Sequence, residues 1–221
     1  MLKMGIDDAG RGPVMGPMVL AGCIVDEEIE KEFRKLGVKD SKDLTQKRRE
    51  FLEEKIKGLS KKFEVVMSTS DEIDSSLESG TNLNELEAIM TAKIINKLNK
   101  GDQKIKVIVD CPSVSILKWT DTLKTKIKNL SNLEVVCEHK ADVNHISVSA
   151  GSILAKCVRE REMHKLKEIY GNGVGSGYPS DPSTCKFLEK NAIEFKDKGI
   201  FRKSWSSWKR ACANLKQNKL F

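Results

Sequence analysis

Short apolar runs alternate with longer stretches of helical period along the 221-residue chain. Residues 3–7 and 17–25 read as strands joined by a glycine-rich turn, and 62–69 as a third. Between the second and third, the pattern predicts a helix that opens at Thr45 as N-cap, carries Phe51, Leu52 and Ile56 on one side and stops at Gly58. A longer helix fits 82–100, where Leu83, Leu86, Ile89, Met90, Ile94 and Leu98 recur at helical spacing before Gly101. Lys104–Asp110 is an apolar strand ending in a carboxylate, followed by a helix around 115–128 and a strand at 133–138. Strand, helix, strand in that order predicts a parallel pair with a right-handed crossover. A long helix over 146–170 and two more over 183–196 and 204–216 complete the pattern, with no repeat, low-complexity tract or linker.

Composition adds a partner class. The hydrophobic share of 39% suffices for one packed α/β domain. A net charge of +7 favours a polyanion, although it is spread over many lysine-rich helices and forms no basic tail. Cys23, Cys111, Cys137, Cys157, Cys185 and Cys212 are widely spaced and lack a Cys-x-x-Cys pair, so they read as reduced, mostly buried thiols and signal neither zinc nor a disulfide framework. No stretch approaches the 18 or so apolar residues of a membrane span, and no basic leader with an apolar run opens the chain, so a cytoplasmic protein is expected.

Candidate chemistry gathers at strand ends. In Gly5-Ile6-Asp7-Asp8-Ala9-Gly10-Arg11-Gly12-Pro13, adjacent carboxylates stand before a glycine-arginine-glycine turn. Side chains alternate along a regular strand, so Asp7 and Asp8 can share one cation only if the strand breaks there, and Gly10, Gly12 and Pro13 are expected to break it. The glycines leave backbone N–H groups open to a close anionic backbone, with Arg11 beside them. Asp110 ends another strand, where sites of parallel sheets collect, and Asp142 follows the 133–138 strand in His139-Lys140-Ala141-Asp142. Carboxylates converging past separate strands suit divalent-metal phosphoryl transfer, and their mutual repulsion calls for a cation. Helix capping remains open for Asp110, and a structural role for His139. The alternating Gly171, Gly173, Gly175 and Gly177 give only a weak phosphate-loop signal, because no Gly-Lys-Ser/Thr follows.

Together with Lys39-Asp40-Ser41-Lys42, Ser149 to Lys156 and Gly175 to Pro182, these motifs occur in the order of type 2 ribonuclease H, and the chain resembles ribonuclease HII in its compact archaeal form. The resemblance spans nearly the whole chain. It implies an α/β fold, a ribonuclease H-like mixed five-stranded sheet flanked by helices, with residues 1–182 as the catalytic domain and 183–221 as a C-terminal helical region packed on it. It implies cleavage of RNA in RNA/DNA hybrids and on the 5′ side of ribonucleotides embedded in duplex DNA, leaving 3′-hydroxyl and 5′-phosphate ends. Asp7, Asp8, Asp110 and Asp142 are then the catalytic metal ligands for Mg²⁺ or Mn²⁺ in a two-metal mechanism. By the same resemblance Gly10, Arg11 and Gly12 read the 2′-hydroxyl while Tyr178 stacks on the next sugar, a physical route to telling RNA from DNA. Lys42, Lys140, Lys156, Arg159, Arg202 and Lys203 are candidates for phosphate contacts. Trp205 belongs to a C-terminal element or anchors the last helix. Gln217 to Phe221 resembles the start of a sliding-clamp peptide without its aromatic pair, which implies a weak clamp contact. A monomer with no membrane partner is expected.

One departure matters. The family pattern Asp-Glu-Ala-Gly-Arg-Gly-Pro reads Asp7-Asp8 here, and losing a methylene withdraws that carboxylate by roughly 1.5 Å. Either nearby backbone or a water makes up the gap, or the rate falls. The alternative function is a hybrid-binding module whose catalysis is impaired by Asp8.

Overall fold

The computed structural model describes residues 1–101 and 103–217. Its strands are β1 Leu2–Ala9, β2 Met18–Val25, β3 Lys62–Ser68, β4 Ile105–Asp110 and β5 Leu133–Glu138, joined in one sheet of order β3-β2-β1-β4-β5. β1 runs antiparallel to β2 and parallel to β4, and β4 runs parallel to β5 as the strand-helix-strand order predicts. β2 is buried along its whole length, which is why it reads as an unbroken apolar run. The helices are α1 Glu27–Lys35, α2 Gln46–Leu59, α3 Ser70–Glu78, α4 Leu83–Leu98, α5 Ile116–Lys124, α6 Ala141–Asn144, α7 Ile146–Tyr170, α8 Pro182–Asn191 and α9 Ser206–Gln217. This is the ribonuclease H-like architecture expected: a mixed five-stranded sheet with flanking helices and a helical C-terminal region. No described helix is long and apolar enough to cross a membrane.

The hydrophobic pattern misses α1 and α3. Each is short, with one large apolar side chain fully buried, Phe33 in α1 and Ile73 in α3. Their ends carry the readable signal instead. Asp26 accepts from the Ile29 N–H, and Thr69 with Glu72 forms a reciprocal capping box. The helices expected over 115–128 and 183–196 end earlier, at Lys124 and Asn191.

The described residues fall into two compact units. The first, 1–9, 19–67 and 83–158, packs Phe33, Leu52, Ile56, Ile153 and Leu154 into its core. Helix α7 lies directly on β1 there: a β-carbon at Gly5 would sit 2.1 Å from the Ser147 carbonyl carbon, so only glycine admits the contact. Helix α4 covers the other face, since a β-carbon on Gly22 would meet Ile6 and Ile94 together. The second unit, 10–18, 68–82 and 159–221, has its own core of Met15, Met163, Phe187, Phe201 and neighbours. Its N-terminal segment is stitched to its C-terminal one by an isolated bridge, Met15 to Phe201.

All six cysteines are free thiols, four of them buried. Burial pushes the Cys23 thiol up to about 12 and that of Cys137 to about 11.

Candidate active site

The strand does not break where the sequence reading requires. β1 keeps a regular antiparallel register through Asp7–Ala21, Asp8–Leu20 and Ala9–Val19, so its first two aspartates keep opposite faces. The reason is local: β2 offers an unbroken ladder as far as Ala9, and the glycines act only afterwards. Asp7 shares the face of Gly5 and accepts a hydrogen bond from Ser152 of α7. Asp8 shares the face of Ile6, on the side of α4.

Burial is the chief reason that the Asp7 carboxyl is held well above the ordinary carboxylate range, and the charges of Asp8 and Asp110 add to it. Hydrogen bonds from Ser152 and from the Asp8 N–H, which reaches Asp7 Oδ1 at 2.7 Å, work the other way. Asp110, at the end of β4, is raised chiefly by burial and further by Asp142. Its Oδ1 accepts from the Ala141 N–H at 3.0 Å, so it braces the start of α6 and does not cap the following helix α5, which has no side-chain cap; it also stands in the field of the other carboxylates. Asp142 is buried in α6, and its carbonyl accepts from the Ser149 hydroxyl at 2.6 Å. As placed, no three acidic, histidine or cysteine side chains among the described residues are gathered closely enough to hold a metal ion. The chemistry of the set still fits one: oxygen donors only, crowded against their own repulsion, suit a hard divalent cation.

The segment 40–43 touches this cluster at two points. Lys42 Nζ lies 3.6 Å from Asp142 Oδ2. Burial opposes its charge, yet Asp40, Asp142 and Asp7 outweigh that and hold its pKa above the ordinary value. The preceding Ser41 hydroxyl is 2.9 Å from that of Ser152. Because Ser152 gives its proton to Asp7, Ser41 is the donor in that pair, and the buried hydroxyls form a chain ending on Asp7. Sequence reasoning assigned no role to Ser41 or Ser152, although Ser152, the one serine on the otherwise apolar buried stretch Ala150–Ala155, was a visible signal. His139 bonds the Cys111 carbonyl at 3.1 Å, the structural role left open for it. Lys140 is exposed and adopts a left-handed φ of 59°, an uncommon conformation for a side chain of its length.

The second unit contains the glycine turn. Gly10 has φ of +88°, and a β-carbon there would lie 2.2 Å from Arg159 Nε. Gly12 faces Tyr178, whose ring would be 3.7 Å from an added β-carbon, so Gly10, Arg11, Gly12 and Tyr178 do share one neighbourhood. The Arg159 guanidinium lies 5.3 Å from the Tyr178 ring centre and donates to the Ser176 carbonyl at 3.2 Å. Asp181 accepts from the N–H groups of Ser176 and Ser183, fixing the loop that carries Tyr178.

Arg202 departs from expectation. Instead of waiting at the surface for a phosphate, it is 0% exposed and donates to the carbonyls of Gly10, Arg11 and Gly16 at 2.6–3.1 Å. Those carbonyls have no ladder partner in the turn, and a five-donor guanidinium is the side chain able to serve them together. Trp205 completes the clamp: its indole donates to the Gly12 carbonyl at 3.1 Å, and the Arg202 guanidinium lies 5.0 Å from its ring centre. Lys203 uses its backbone N–H on Asp74 at 2.6 Å.

The family model described as ribonuclease HII matches residues 4–208. The chain belongs to the ribonuclease HII family. It is 40% identical to ribonuclease HII of Methanocaldococcus jannaschii, over 100% of this chain and 99% of that one. Its fold matches the crystal structure of ribonuclease H2 from Pyrococcus horikoshii OT3 with a TM-score of 0.86 and 38% identity, covering 99% and 100% of the two chains. The structure of the PCNA:RNase HII complex from Archaeoglobus fulgidus matches with a TM-score of 0.81 and 38% identity, over 93% and 96%. As a ribonuclease HII family member the chain is a hydrolase, an endonuclease of the ribonuclease H class, and membership implies cleavage of RNA in RNA/DNA hybrids.

Proposed function

We propose that this ribonuclease cuts both long hybrids and duplex DNA on the 5′ side of an embedded ribonucleotide, leaving 3′-hydroxyl and 5′-phosphate ends, with Asp7, Asp8, Asp110 and Asp142 holding Mg²⁺ or Mn²⁺. The observation that carries the reading is Asp7: a carboxylate only 6% exposed, in the fields of Asp8 and Asp110, is a costly arrangement unless a cation offsets it. When bound, divalent ions would supply charge for activating water and for the departing 3′-oxygen. The protein's own groups do the positioning. The hydroxyl chain from Ser41 through Ser152 orients Asp7, Ala141 orients Asp110, and Lys42 holds a cationic head beside Asp142, near enough to meet a phosphate. In the second unit, the clamped Gly10-Arg11-Gly12 turn is proposed to face the 2′-hydroxyl and Tyr178 the neighbouring sugar. Lys140, exposed beside Asp142 in sequence, is proposed as a further phosphate contact.

The Archaeoglobus complex supports a sliding-clamp contact, which is proposed to run through Gln217 to Phe221, of which residues 218–221 lie outside the described ones. The test of the main reading is a cleavage assay on a long hybrid and on a single-ribonucleotide duplex, each in Mg²⁺ and in Mn²⁺, with end analysis of the products. Cutting in either metal excludes the hybrid-binding module. Failure in both excludes the proposed catalysis.

A further inference from the structure

Behind β1, on the face that Asp8 shares with α4, a cavity is lined by Asp7, Asp8, Asp110, Glu87, Thr91 and Trp119 within the first unit. About 10 Å³ of it is open to a water molecule, close to the least that admits one. Glu87 and Thr91 stand one turn apart on α4 and are 2% and 1% exposed. A threonine in a helix can bond the carbonyl four residues back, as the partly exposed Thr120 and Thr122 of α5 do at 2.8 and 2.9 Å. Thr91 does not: its buried hydroxyl has no partner among the described residues. An unsatisfied hydroxyl in the interior carries its full desolvation cost. Trp119 does not relieve it, because the indole N–H is given to the Asn84 carbonyl at 2.9 Å.

We propose that one ordered water occupies this cavity, accepting the Thr91 hydroxyl proton and donating its own two protons to the carboxylates of Asp8 and Glu87. Thr91 and Glu87 thereby become positioning residues for Asp8, fixing through the water a carboxylate that the regular strand aims at α4. The inference rests on the proposed place of Asp8 in the catalytic cluster.

The test uses Thr91→Val, which keeps the shape and removes the hydroxyl, Thr91→Ser, which keeps the hydroxyl, and Glu87→Gln. Mn²⁺ alone is titrated calorimetrically into each protein, and melting temperature, kcat and KM on a long hybrid are measured beside it. For Thr91→Val the expected result is Mn²⁺ affinity and kcat each lower by about 10-fold, the order seen when groups behind metal ligands are removed, with KM and melting temperature held. Glu87→Gln should move the same way, and Thr91→Ser should restore the wild-type values. A crystal structure should show the water in wild type and not in Thr91→Val. Unchanged Mn²⁺ affinity in Thr91→Val, equal impairment in Thr91→Ser, or a wild-type crystal without the water overturns the proposal. A wild type that binds Mn²⁺ but cleaves nothing overturns the catalytic reading instead, and the titration still decides the water.

Discussion

The two units solve opposite electrostatic problems. In the first, carboxylates are brought together against their own repulsion, with Asp7 buried and held protonation-prone by Asp8 and Asp110. In the second, the carbonyls of a glycine turn are bare acceptors, and the buried cation Arg202 satisfies them within the protein itself. One site is left with a charge deficit that an outside cation can fill; the other is complete before any ligand arrives. The lesson is that residues of one short motif, Asp7 to Gly12, can be built for different states. On the proposed reading the acidic half takes up a cation, and the glycine half is held by the protein itself.

The comparison breaks most visibly at Asp110. Asp110→Asn removes charge without changing shape, so turnover should vanish while hybrid binding, measured by fluorescence anisotropy, stays near wild type. Retained turnover would leave Asp110 as only the brace of α6. Next in size is Arg202→Ala, which takes the guanidinium donors from the carbonyls of Gly10, Arg11 and Gly16, of which Gly16 keeps another donor, the Ser70 hydroxyl; it should cost about 3 kcal/mol of stability, read as a lower melting temperature. Arg202→Lys should rescue little, since an ammonium cannot present the same fork. A surface phosphate contact would instead leave melting unchanged and lessen the salt dependence of binding.

Tyr178→Ala should lose on the order of 1–3 kcal/mol in kcat/KM, by analogy with base–aromatic stacking. The loss should be greater on a single embedded ribonucleotide than on a long hybrid, with Tyr178→Phe recovering most of it. Equal kinetics on the single-ribonucleotide duplex would return Tyr178 to a packing role against Arg159. Asp8→Glu should raise activity several-fold in Mg²⁺ and less in Mn²⁺, because a longer side chain can reach past the regular strand edge and Mg²⁺ tolerates poor geometry least. No gain would mean that the surroundings of Asp8 already compensate.

The smallest effect is at Asp181. Hydrogen bonds, first from the Ser176 N–H, hold its carboxyl below the ordinary 3.8. Its contribution is therefore complete above pH 3.8 and is lost as pH falls through the lower folded value. Asp181→Ala should cost about 1 kcal/mol of stability at neutral pH, the usual worth of a helix cap, and the difference from wild type should fade on acidification. A gap that persists at low pH would assign the effect to packing.

Much of the site was legible because its parts are local. Asp110 ends an apolar run, and Gly10 to Gly12 announce a turn by composition alone. Arg202 was not legible, since its acceptors lie up to 192 positions away and Arg202-Lys203 looks like surface charge. Asp7 and Asp8 were singled out but mis-aimed: nearby glycines suggested a broken strand, whereas the ladder that keeps it regular is supplied by β2. Glu87 was hidden for a related reason. On its helix it passes for a solvated charge, and only the placement of α4 over β1 shows what it faces.

The Arg202 clamp also sets an order of events during synthesis. The four aspartates, Ser41 and Ser152 are all made by residue 152, whereas the guanidinium that closes the turn at Gly10 emerges some 190 residues after it. Closing so long a loop delays the contact. A chain growing from its N-terminus thus has every residue of the acid cluster in hand while the turn proposed to read the sugar is still unfastened, so the groups proposed to cut and those proposed to discriminate are completed at different times.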